Sequence, residues 1–91
     1  MMPLFALICR DKPGHLQTRV DTRPSHLAYM AETSVVQFAG PLIENGDPCG
    51  SLVVIEAGDR AAAAEWAAKD PYAQAGLFTS VEVIEWRKVI G

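Results

Sequence analysis

The stretch Glu44-Asn45-Gly46-Asp47-Pro48-Cys49-Gly50-Ser51-Leu52-Val53-Val54-Ile55-Glu56-Ala57 decides the fold. Its first half, Glu44 to Gly50, is turn chemistry, with Asn-Gly and Asp-Pro inside it. Its second half, Ser51 to Ala57, is a short run rich in β-branched residues and predicts a strand. Both faces of that strand are apolar, as expected of a strand covered on two sides. Just upstream, Val35 to Ile43 reads as another strand, broken near Gly40-Pro41, where a proline suits an edge or a bulge. The two strands therefore form a hairpin.

Outward from the hairpin, the elements alternate. Leu4 to Cys9 is a short apolar run between Pro3 and Arg10-Asp11-Lys12-Pro13-Gly14, and its length and flanks favour a strand. Leu4, Ala6 and Ile8 fall on one face and Phe5, Leu7 and Cys9 on the other, so this strand too is apolar on both sides. A helix follows from about His15 to about Thr33. Pro24 removes one backbone bond inside it, so a bend, or a restart at Thr22 or Arg23, is expected. Downstream, Asp59 caps an alanine-rich helix, Arg60 to Lys69, in which Trp66 with Ala62, Ala63 and Ala67 forms a narrow packing face. Asp70-Pro71-Tyr72-Ala73-Gln74-Ala75-Gly76 predicts a one-turn helix with aspartate as N-cap and proline at its start. Phe78 to Val89 closes the chain as a fourth strand.

The order is β-α-β-β-α-β, an α+β ferredoxin-like arrangement with a four-stranded antiparallel sheet and both helices on one face. Ninety-one residues form one domain, residues 1–91, with a single modest core. Two helices cover one side of a sheet whose inner strands are apolar on both. The second side then calls for a partner, and the expectation is a homodimer packed through the open sheet face, a barrel-like pair.

Composition narrows the function. A hydrophobic content of 49% with 21% charged residues describes a globular chain. The net charge of -3, with no basic stripe, argues against nucleic-acid binding. The apolar N-terminus is too short to span a membrane and lacks the basic leader of a signal peptide, so a cytoplasmic protein is expected. Cys9 and Cys49 are the two cysteines, and Cys9 in its apolar run reads as a core residue of a protein from a reducing compartment. No Gly-rich phosphate loop, nucleophile elbow or zinc spacing is present, and no cofactor or metal is expected.

The long helix carries the candidate chemistry. Leu16, Val20, Leu27 and Met30 with Ala31 form an apolar stripe expected to pack on the core. Beside it run His15, Arg19, Arg23 and His26, spaced four, four and three apart along one edge. An alternative reading has Arg23 laying its stem over the core and His26 as an ordinary boundary histidine.

Arg19, Arg23-Pro24-Ser25-His26-Leu27, Ala39-Gly40-Pro41, Gly50-Ser51 and Asp70-Pro71-Tyr72 with Ala75-Gly76-Leu77-Phe78 resemble, in order and spacing, the YciI-like (YCII-related) family. That family is similar to the dimeric α+β barrels of muconolactone isomerases and cofactor-free monooxygenases, and it includes a dehydrochlorinase of a chlorinated hydroxyquinol. The resemblance implies a histidine-aspartate pair, His26 and Asp70, in which a carboxylate on one imidazole nitrogen fixes the tautomer and leaves the other to move a proton. Arg19 and Arg23 would hold a small anionic substrate, with Ser51 and Tyr72 orienting it. The plainer readings stay open: Asp70 as a helix cap, Tyr72 as core, Ser51 as the end of a turn. The function expected is a cofactor-free lyase or isomerase acting on an anionic or enolisable ring compound. The alternatives are a small-molecule binding or regulatory module without chemistry, and a cofactor-free monooxygenase.

Overall fold

The computed structural model describes residues 2–91. Its elements are β1 (Leu4–Asp11), α1 (Leu16–Thr33), β2 (Val36–Glu44), β3 (Asp47–Glu56), α2 (Arg60–Ala68), α3 (Pro71–Gln74) and β4 (Phe78–Trp86). The four strands make one antiparallel sheet in the order β2-β3-β1-β4.

The hairpin turn is tighter than the sequence alone indicates. Asn45 and Gly46 take φ of 52° and 84°, so two residues make the reversal and Asp47 and Pro48 already belong to β3. Two positive φ angles are the geometry that matches the right-handed twist of paired strands. Gly50 has a separate reason to be glycine. It lies across from Arg10 on β1, and a Cβ there would fall on the Cys9 carbonyl oxygen. β2 is an edge strand and so tolerates Pro41, which still pairs with Ser51; the register slips lie on either side of it.

Phe5, Leu7 and Cys9 of β1, Val53 and Ile55 of β3, and Val83 of β4 are buried under the helices with Ala57, Ala63 and Ala67. Asp59 caps α2 by accepting from Ala62 N at 2.8 Å. Of the expected packing face of α2, Ala63 and Ala67 are buried, Trp66 is half-buried and Ala62 is exposed. Trp66 joins the helices: its Nε1 donates to Thr33 Oγ1 at 3.0 Å, and Tyr29 Oη donates to the Trp66 carbonyl at 2.8 Å.

Three boundaries differ from expectation. β1 runs two residues further, to Asp11, with a register slip against β4 between Arg10 and Asp11. β4 stops at Trp86, not Val89. α1 is continuous through Pro24, with no restart.

The larger correction concerns which face of α1 is buried. Leu16, Val20 and Leu27, expected to pack on the core, are 42%, 56% and 41% exposed, whereas Arg19 and His26 are 5% and 6% exposed. The helix turns its polar edge inward because hydrogen-bond partners wait for it there, and a satisfied buried polar group carries no desolvation penalty of the kind an orphan does.

On the side away from the helices, the sheet carries Leu52, Val54, Ile84, Phe38 and Trp86. Val54 is 2% exposed, while Leu52 and Ile84 are 40% and 48% exposed. Phe38 and Trp86, from the two edge strands, meet edge to face at 5.8 Å between centroids, so this face is partly roofed by its own aromatic pair.

Candidate active site

Between α1 and the β2–β3 hairpin lies a cavity of about 210 Å³. On the sheet side it is bordered by the small residues Ala39, Gly40 and Pro41 of β2. The helix side is lined by Arg19, Val20, Arg23, His26, Leu27 and Met30, and the floor by Pro48, Ser51, Val53 and Tyr72. The exposed stripe of α1 therefore serves as cavity wall.

His26 lies two turns above Arg19 on α1. Its Nδ1 and Asp70 Oδ1 are 2.8 Å apart, and both side chains are buried. With Asp70 ionised, Nδ1–H donates and the lone pair resides on Nε2. Nε2 has no partner, yet among the described residues no buried side-chain nitrogen or oxygen lacks one. Nε2 is therefore accessible, and the cavity is the space that His26 lines. The same Asp70 oxygen accepts from Tyr72 N at 3.0 Å, which caps α3. Cap and histidine partner, read as alternatives from sequence, are one carboxylate oxygen.

Tyr72 is 2% exposed, its ring stacked on the imidazole at 4.0 Å and 18°. The Arg19 guanidinium carbon lies 4.6 Å from the centroid of the same ring. Burial pushes the Tyr72 phenol up from its ordinary pKa, against the pull of Arg19 and Arg23, so it stays a neutral hydroxyl in the physiological range.

Arg19 is held by Asp11, which the sequence places only in the flank of the first strand. Its Nε and Nη2 donate to the two oxygens of Asp11 at 2.7 and 2.9 Å, and Nη2 also donates to Ser51 Oγ at 2.9 Å. Burial draws the Arg19 pKa down, but the Asp11 hydrogen bonds and charge outweigh it and leave the guanidinium above its ordinary value. The signal for Asp11 was present in the alternation: it continues the helix-facing register of Phe5, Leu7 and Cys9. Arg23 differs from Arg19. It is exposed at the cavity and makes no ion pair among the described residues.

Cys9 lies on the same face of β1, and burial, then the Asp70 charge, push its thiol up to about 12. It is a neutral core group, not a nucleophile. Both cysteines are free. Among the described residues no three His, Cys, Asp or Glu side chains converge as a metal site requires, and no helix is long and apolar enough to cross a membrane.

The α+β ferredoxin-like fold is shared by solved structures of low sequence identity. An antibiotic biosynthesis monooxygenase matches with TM-score 0.58 at 14% identity over 99% of this chain and 100% of that one, which speaks for the fold alone. The chain belongs to the YCII-related domain family, whose model matches residues 3–87. It is 33% identical to Protein YciI of Escherichia coli O6:H1, over 94% of this chain and 98% of that protein. An uncharacterized protein of Haemophilus influenzae is 32% identical over 93% of this chain and 97% of its own length. Among solved structures, 5-chloro-2-hydroxyhydroquinone dehydrochlorinase from Burkholderia phenoliruptrix, in complex with 2,5-dihydroxybenzoquinone, matches with TM-score 0.86 at 33% identity over 92% of this chain and 93% of that one.

Proposed function

We propose that this protein is a cofactor-free, lyase-like enzyme in which His26, held by Asp70, moves a proton on a small anionic or enolisable ring compound. The observation that carries the reading is the buried 2.8 Å contact between His26 Nδ1 and Asp70 Oδ1 beside an open cavity, with Nε2 left without a partner. Support for the reaction class comes from the dehydrochlorinase relative. Nε2 removes a proton from the ring; the electron pair left behind forms the new double bond as a leaving group departs. Asp70 stabilises the imidazolium formed, and positioned proton transfer of this kind contributes about 10²–10⁴-fold to rate. Apolar walls from Val20, Leu27 and Met30 suit a planar ring, and Arg23 suits its negative charge.

We also infer that the active form pairs two copies through the open sheet face, where Leu52 and Ile84 remain exposed.

The test is chloride release from 5-chloro-2-hydroxyhydroquinone. Turnover is expected in the wild type and its loss in His26→Ala and Asp70→Asn. Folded variants that release chloride at the wild-type rate overturn the assignment. A wild type that binds the compound and returns it unchanged leaves a binding module instead.

A further inference from the structure

Arg19 and Arg23 sit one turn apart on the same helix edge, yet their electrostatic situations are opposite. The Arg19 charge is matched at bonding distance by both oxygens of Asp11, with side chains only 6% and 7% exposed. The Arg23 charge is matched by nothing among the described residues. With Asp70 already committed to His26, the cavity presents a single uncompensated cation.

The hydrogen-bond inventory adds direction. A guanidinium carries five N–H donors. Asp11 and Ser51 engage Nε and Nη2 of Arg19, three of the five. Nη1 donates to neither Asp11 nor Ser51 and is not a buried orphan; the Tyr72 side chain is its remaining polar neighbour, and the donor capacity that Tyr72 leaves open faces the cavity that Arg19 lines. Rotation of the fork is blocked on both sides, by the Asp11 carboxylate and by the Tyr72 ring at 4.6 Å. That ring is also stacked on His26 at 4.0 Å, so it fills the gap between two side chains seven residues apart on α1. Asp11 lines no part of the cavity and acts through Arg19.

On the reading of this cavity as the substrate site, we infer that Asp11 is a positioning residue that turns Arg19 into a neutralised donor for an uncharged carbonyl oxygen, leaving Arg23 to bind the anionic group, so that the cavity selects planar monoanionic carbonyl compounds over dianions. A buried ion pair is costly to assemble and is seldom retained for stability alone, since well-packed apolar residues do as well. Here it yields a fixed N–H donor whose charge is already cancelled. A ligand oxygen carrying a full negative charge at Arg19 would face the Asp11 carboxylate just behind the guanidinium. A neutral carbonyl there gains the hydrogen bond without that repulsion.

The probes are 3-acetylbenzoate, a planar monoanion with a ketone, and isophthalate, the dianion of the same shape, with affinities measured by calorimetry at neutral pH. The wild type is expected to bind 3-acetylbenzoate at least tenfold more tightly. Asp11→Asn uncovers the Arg19 charge, so the ratio is expected to swing toward isophthalate by tenfold or more. Arg23→Gln is expected to weaken both. Equal or reversed affinities in the wild type overturn the inference, as does failure of the wild type to bind either probe, and neither result depends on a variant folding. A folded Asp11→Asn with the wild-type ratio reduces Asp11 to a structural role. Chloride release reads His26 and Asp70, whereas the affinity ratio reads Asp11 and Arg19, so either reading can fail while the other stands.

Discussion

If one oxygen of Asp70 both caps α3 and holds His26, then removing it has a cost that depends on whether the imidazole is present. Asp70→Ala takes the acceptor from Tyr72 N, a cap worth about 1 kcal/mol, and leaves His26 Nδ1 unpartnered at a site where the residue is 6% exposed. An orphaned buried donor costs about 1–3 kcal/mol, so the whole loss is about 2–4 kcal/mol. Asp70→Asn keeps an oxygen at the same place and loses only charge assistance, about 1 kcal/mol. His26→Phe keeps a flat ring beside Tyr72 but has no nitrogen to offer Asp70. In that background Asp70→Ala removes the cap alone, about 1 kcal/mol. The coupling between the two positions is therefore about 2 kcal/mol, measured as a double-mutant cycle by urea unfolding at fixed protein concentration. A coupling below about 0.5 kcal/mol, with unchanged denaturant slopes, would show that the imidazole and carboxylate are neighbours without a working bond.

Alkaline stability and assembly are tested separately. The Cys9 thiol titrates near its ordinary value of 9.0 in the unfolded chain but at about 12 when folded, so its contribution is complete below about pH 8 and is lost as pH rises from about 9 toward about 12. Cys9→Ala is expected to flatten that part of a stability-versus-pH curve, and an unchanged slope there refutes the assignment. For the open face, Ile84→Asp places a charge on an already exposed position, so by sedimentation equilibrium the wild type is expected to run as a dimer and the folded variant as a monomer; an unaltered mass rules out this face as the interface.

Much of the architecture could be read locally. Asn45-Gly46 reverses the chain because both residues accept positive φ, Asp59 ends the loop before α2 with its own side chain, and the two-sided apolar pattern of Leu4 to Cys9 and Ser51 to Ala57 picks out the inner strands. These are near-neighbour effects, complete within a few residues. Element ends were less legible, because the limits of β1 and β4 depend on strands distant in the chain.

The orientation of α1 was legible only in part: the line of Arg19, Arg23 and His26 marked a pocket edge and Met30 does pack on the core, but the stripe of Leu16, Val20 and Leu27 pointed the wrong way. An amphipathic count favoured burying Leu16, Val20 and Leu27, since it weighs each side chain against water. What decides the matter is whether partners exist across the gap, and Asp11, Ser51, Asp70 and Tyr72 all approach Arg19 and His26 from other elements. Sequence by itself therefore determined the order of the elements, the turn and the inner strands, through short-range backbone and hydrophobic preferences. Tertiary structure decided how deeply Arg19 and His26 are buried relative to Leu16, Val20 and Leu27, and with it the cavity and the two unlike arginines, because a hydrogen bond between residues far apart in the chain leaves no periodicity to read.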